Sequence, residues 1–205
     1  MKWSFVALLL AGVALAGGAT AGAQTDVALS LYGAFSGTTT VNNVQQSPAN
    51  AAGGMLELRH LVNPLVGYEA TYSFNRANQT YLGMVCPGYF PYAGCPRVSV
   101  SANAHEITGD WVMSLKVANL RPFALAGGGL LLNEPSGGQS YTTSATKGVF
   151  VYGAGLDWGL LPHLGLRLQY RGNLYKAPDL TKVFYVSSDA WMHTAEPMIG
   201  VYFRF

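Results

Sequence analysis

The sequence predicts an all-β protein: an eight-stranded antiparallel up-and-down β-barrel that crosses a membrane. Three observations lead there. Eight segments alternate apolar and polar side chains with the period of two that a strand imposes. The connections between them alternate without exception between long and short. Charged residues make up only 11% of the chain and hydrophobic ones 50%, against roughly 25% charged in an ordinary soluble domain. A wall whose outer face meets lipid needs little charge, so the deficit suits a transmembrane barrel. After the first residues of the chain, no run reaches the roughly 18 continuous apolar residues of a membrane helix. The net charge of +2 gives no sign of a nucleic-acid partner.

The chain opens on the pattern of a secretory signal peptide. Met1-Lys2 is a short positive start, Phe5 to Ala16 is apolar apart from Gly12, and Ala21-Gly22-Ala23 fits the small-residue cleavage site before Gln24. The run is short of the roughly 20 residues a membrane span needs. No cysteine follows it, which argues against a lipoprotein anchor. Residues 1–23 are expected to be cleaved and 24–205 to form the barrel.

The strands are taken in order. Val27 to Ser36 sets Val27, Leu29, Leu31 and Phe35 against Ala28, Ser30, Tyr32 and Ala34. A short second segment, Met55 to Leu61, sets Leu56 and Leu58 against Glu57 and Arg59. Val66 to Asn75 sets Tyr68, Ala70, Tyr72 and Phe74 against Glu69, Thr71 and Ser73. The least regular, about Val98 to Leu115, opposes His105, Ile107 and Trp111 to Glu106, Thr108 and Asp110. Phe123 to Leu132 is nearly all apolar and glycine, and Val149 to Leu160 opposes Phe150, Tyr152, Leu156 and Trp158 to Gly153, Gly155 and Asp157. The seventh sets Leu164, Leu166, Leu168 and Tyr170 against Arg167, Gln169 and Arg171. The last, Pro197 to Phe205, carries Ile199, Val201, Phe203 and Phe205 on one face and Met198, Gly200, Tyr202 and Arg204 on the other, where Glu196 joins them.

Three connections are tight Asn/Pro turns: 62–65, 117–120 and 161–163. The other four are long and polar. Bacterial outer-membrane barrels pair short periplasmic turns with long external loops in the same way, so both termini are expected in the periplasm. The closing strand, with Val201, Phe203 and Phe205 on one face, resembles the C-terminal signal that the barrel assembly machinery reads. Leu120-Arg121-Pro122-Phe123-Ala124-Leu125-Ala126-Gly127-Gly128-Gly129 resembles the Pro-aromatic-x-x-x-Gly-x-Gly strand of the small outer-membrane β-barrel superfamily of the OmpA/OmpX type. Tyr152 to Asp157 and Leu164 to Arg171 resemble the hairpin that follows it. The likeness spans 24–205 and implies residence in outer-membrane lipid as a monomer, with any surface ligand met by the external loops. It specifies no activity. The peptidoglycan-binding domain of full OmpA proteins is not part of the resemblance, so wall anchoring is not expected.

Ten charged residues fall on faces opposite the lipid-facing set: Glu57, Arg59, Glu69, Glu106, Asp110, Asp157, Arg167, Arg171, Glu196 and Arg204. The interior of an eight-stranded barrel is just wide enough to be filled by side chains, so these are expected to form an ion-pair network that plugs the lumen. The alternative is a narrow ion-conducting or binding path. Cys86 and Cys95 lie in the second long loop, and an even pair in an exported protein reads as a structural disulfide. No cofactor or metal motif is found. His105-Glu106 begins like a zincin helix but lacks the second histidine, and Gly153-x-Gly155 lacks the helix a phosphate site needs. Some barrels of this kind modify lipids, and His193 with Ser187, Ser188 and Asp189 is the only candidate cluster near the outer rim. The expected role is therefore structural or interactive rather than enzymatic. A lipid-modifying enzyme and a soluble lipocalin-like periplasmic binder are the competing classes.

Overall fold

The computed structural model describes residues 23–83, 97–137, 140–182 and 190–205. Residues 1–22 of the expected signal peptide, Cys86 and Cys95 with their expected disulfide, and the Ser187-Ser188-Asp189 segment lie outside the described residues. The described residues form ten strands: β1 (Gln24–Ser36), β2 (Thr39–Val41), β3 (Val44–Pro48), β4 (Ala51–Leu61), β5 (Val66–Gly83), β6 (Arg97–Ser114), β7 (Leu120–Pro135), β8 (Ala145–Gly159), β9 (Leu164–Lys176) and β10 (Trp191–Arg204). Every pairing is antiparallel. β1 pairs with both β4 and β10, and β5 with β6, so the eight long strands close into a ring in up-and-down order. Closure leaves no free edge in the membrane, where an unpaired backbone group could find no water.

Alternation sets the two faces. Outward go Leu29, Leu31, Ile107, Leu130, Leu168, Ile199 and Val201, all exposed. Aromatic rings gather toward both ends of this belt, with Tyr68, Trp111, Trp158 and Phe203 near the short turns and Phe74, Phe150, Tyr152 and Trp191 near the other end. That is the double girdle of a membrane barrel. A soluble lipocalin-like barrel would bury its apolar side chains instead, and the faces are the reverse of that arrangement.

The short-turn end, periplasmic in a barrel of this kind, is held by local hydrogen bonding. Asn63 Oδ1 accepts from the Leu65 and Val66 amides at 2.9 Å each. In the next turn, Val117 bridges to Leu120 with Ala118 at φ 55°.

The outer end is more ordered than the polar sequence suggested. The first long connection is a hairpin, β2–β3, turning on Asn42 and Asn43 at φ 52° and 60°, the type I′ geometry that asparagine tolerates. β3 continues the line of β4 and pairs with the upper part of β5. The second barrel strand thus starts at Ala51 rather than Met55, and β6, expected to be irregular, is an unbroken strand of 18 residues. β5 also has 18 residues, whereas β1 and β9 have 13 each, so the wall is uneven in height.

Residues 177–182 after β9 turn inward over the mouth. Ala177 and Leu180 are fully buried, and Leu180 packs with Val44, Tyr81, Val100 and Ala102. The Tyr81 hydroxyl donates to the Pro178 carbonyl at 2.7 Å and accepts from the Leu180 amide at 3.1 Å, and Gln46 Nε2 also donates to Pro178 O.

Candidate functional site

The inner faces converge on the lumen, and its centre is built on two arginines. Arg167 donates from Nε and Nη2 to the two oxygens of Asp157 at 2.7 and 3.0 Å, and from Nη1 to Glu57 Oε2 at 2.7 Å. The Asp157 contact is the bidentate fork that suits guanidinium to carboxylate. Arg59 donates from Nε to Glu69 at 2.7 Å and from Nη1 to Asp157 at 3.3 Å. Arg59 also lies over the Phe123 ring, 3.9 Å from its centroid. The ring fits there because its neighbour across the strands is Gly155, where a Cβ would collide with it. Glu57 is further bound by the Ser30 hydroxyl.

A second layer lies toward the outside. Arg171 approaches Asp110 at 3.3 Å, Glu69 at 3.7 Å and Glu106 at 3.8 Å, and donates to Thr108 Oγ1 at 3.0 Å. Asn173 Nδ2 donates to Glu106 Oε2 at 2.9 Å. Glu196 stands directly across the β9–β10 ladder from Arg171 and accepts a hydrogen bond from the Asn173 side chain. A third layer closes the periplasmic side, where Arg204 reaches Asp26 at 3.2 Å and Arg121 donates to Gln24 Oε1 at 3.0 Å.

All ten charged residues selected from the sequence thus sit on the inner face, nine of them buried, with Arg204 22% exposed at the rim. Asp26 and Arg121 were missed. Both are buried, and both lie one alternation step before a recognised strand: Asp26 precedes Ala28 and Arg121 precedes Phe123 on the same face. Extending the period one residue before Val27 and back through Pro122 would have found them. Val201, Phe203 and Phe205 all face outward, and Phe203 meets Phe205 edge to face at 5.1 Å.

The histidines are engaged on the outer surface. His193 Nε2 is 2.9 Å from the Tyr152 hydroxyl, His105 Nδ1 is 2.8 Å from the Tyr72 hydroxyl, and His60 Nδ1 is 2.9 Å from Thr25 Oγ1. His163 Nδ1 bonds the Arg204 carbonyl oxygen at 2.9 Å. Among the described residues no group of three or more His, Cys, Asp and Glu is arranged to hold a metal.

Solved structures share this architecture. Ail, the attachment invasion locus protein of Yersinia pestis in complex with the heparin analogue sucrose octasulfate, matches over 90% of this chain and 99% of its own, with a TM-score of 0.53 at 16% identity. Neisserial surface protein A matches over 90% and 99%, with a TM-score of 0.57 at 14% identity. OprG of Pseudomonas aeruginosa matches over 90% and 96%, with a TM-score of 0.57 at 8% identity. At such identities the likeness is one of fold. No curated protein sequence matches the chain. The family model for the outer membrane protein beta-barrel domain matches residues 5–205, which with the closed eight-stranded wall and its lipid-facing belt shows that this chain belongs to that family and is a bacterial outer-membrane β-barrel.

Proposed function

We propose that the protein is a non-conducting, non-enzymatic outer-membrane barrel whose lumenal ion pairs serve as a plug and whose external surface carries its interactions. One observation carries this reading: Arg59 and Arg167, each fully buried, span the lumen between carboxylates of β4, β5 and β8. Charges held by several short bonds in a dry interior are costly to part. The inward turn of 177–182 supports closure from the other side. Purified protein inserted into planar bilayers is expected to show no steady conductance of porin size. A stable large conductance in the unmodified protein would overturn the plug and put transport first.

The external end offers a chemistry for the interaction. Arg76, Arg97, Lys147, Lys176 and Lys182 lie there, against Glu134 and Asp179 among the described residues. Ail was crystallised with a sulfated sugar, and a basic rim of this kind suits a polyanionic surface saccharide. Refolded protein is expected to be retained on immobilised heparin, with retention lost as salt rises and reduced by R76Q/R97Q. Passage through the column at low salt would remove this reading and leave the plug untouched.

A further inference from the structure

The periplasmic mouth of the lumen gathers positive charge around an open space. A cavity of about 390 Å³ lies there between the turns that follow β6 and β8. The charged side chains lining it are Lys116, Arg121 and Arg204, against the single carboxylate of Asp157. Asp157 is already engaged, one oxygen by Arg167 Nε and the other by Arg167 Nη2 and Arg59 Nη1. Asp26, the next carboxylate, takes Gln24 and Arg204 on one oxygen, and its other is 4.0 Å from Arg167.

Arg121 is the cation left with donors to spare. Its Nη2 donates to the Gln24 side chain, but Nε and Nη1 are buried without an acceptor. The side chain is 6% exposed and forms no ion pair within 4.0 Å among the described residues. A guanidinium cannot shed its charge, and a buried donor without an acceptor carries the full cost of its lost hydration. An anion seated in the cavity beside Arg121 answers both deficits.

A second observation, independent of charge, says what kind of anion. Leu120, Leu160 and Leu161 line the same cavity and are exposed, Leu161 by 62%. Leu120 stands across the β7–β8 ladder from Trp158 of the inner girdle, which sets this rim at the level of the lipid headgroups. The planar fork of a guanidinium matches the oxygens of a phosphate, and leucines at headgroup level match the first carbons of acyl chains. The volume falls within the roughly 300–1,000 Å³ of small-molecule sites. Free phosphate brings the charge but nothing for the leucines. A zwitterionic headgroup brings an ammonium of its own, which the lining cations repel.

We propose that the periplasmic mouth binds one anionic phospholipid of the phosphatidylglycerol type from the inner leaflet. Its phosphodiester sits among Arg121, Arg204 and Lys116, and its acyl chains leave over Leu120, Leu160 and Leu161. The site is at the opposite end of the barrel from the basic external rim and does not depend on it.

The test uses whole mature protein refolded in detergent micelles and mixed with phosphatidylglycerol or phosphatidylethanolamine of identical chains, at matched ionic strength. Bound lipid is counted by native mass spectrometry. One phosphatidylglycerol per chain is expected, held about tenfold or more tightly than phosphatidylethanolamine. R121Q is expected to bring the two lipids within about two- to threefold of each other, and K116Q, at an exposed position, to weaken phosphatidylglycerol by about the same factor. Inorganic phosphate in excess is expected to leave the lipid bound. Equal retention of the two lipids by the unmodified protein would overturn the site, as would a preference that R121Q leaves intact. Should R121Q fail to fold, K116Q/L161N decides, and an unchanged preference there counts against the proposal. Displacement of the lipid by inorganic phosphate at equal concentration would make a free anion the occupant and overturn the lipid as well.

Discussion

Replacing Arg167 by glutamine leaves Asp157 without its shortest bond and Glu57 without its ion pair, all in a fully buried position. Removing one partner of a buried pair costs about 3–5 kcal/mol, and R167Q is expected to lose that much in urea titrations of the refolded barrel. R204Q is the contrast. Its guanidinium is partly open to solvent, and Asp26 keeps the Gln24 amide at 2.7 Å, so the loss should be about 1 kcal/mol or less. Equal losses would show that depth in the lumen does not set the strength of these pairs. Face assignment can be checked on neighbouring residues. Leu168→Arg places a charge against lipid at a half-exposed outward position, at a cost of about 2–4 kcal/mol. Gln169 faces inward with both amide atoms unpartnered, so Gln169→Met should be neutral or stabilising. The reverse ranking in the same titration would exchange inside and outside. At this scale the site was largely legible, because a charge in a strand of period two declares its face. Contacts such as Arg59 on Phe123 were not, since they cross the lumen between strands whose relative heights alternation does not give.

Among the elements, the turn at Ala118 carries a local cost. A φ of 55° is left-handed backbone, which disfavours a residue with a Cβ by roughly 1–2 kcal/mol. Ala118→Gly should therefore raise refolded stability by about 1 kcal/mol, and a loss would mean that the Ala118 methyl does something the turn needs. The segment 177–182 is held by Tyr81. Y81F removes the donor to Pro178 and the acceptor for the Leu180 amide, and exchange at that amide should speed up by about tenfold with little change in global stability. Unchanged exchange would place the hold elsewhere, in the packing of Leu180. The membrane strands were readable because lipid enforces alternation on their outer face. Thr39 to Pro48 is polar apart from Val41, Val44 and Pro48, and is ordered by pairing with β5, so no alternating apolar face marks it. Leu180 likewise gains its meaning only beside Tyr81 and Val100, which are remote in sequence.

For the whole molecule, closure rests on β1 meeting β10, with Asp26 opposite Arg204 and Phe205 N bonded to Thr25 O at 2.9 Å. Phe205 itself is 69% exposed and adds little packing. Its deletion is therefore expected to leave detergent refolding nearly intact while lowering the heat-modifiable species in cell membranes several-fold. Equal cellular levels would remove it as an assembly signal. The ring order was legible from the long–short alternation of connections, but its registers were not, because a slip of two residues keeps every face. The uneven height of the wall has a consequence for encounter. Roughly 9–11 residues cross a bilayer, so the 18-residue β5 and β6 stand well clear of it while the 13-residue β1 and β9 barely do. A cylinder cut on the slant has a bearing as well as a height: a large particle arriving from outside strikes the tall flank first, and a crowding neighbour in the membrane plane slides in under the low one.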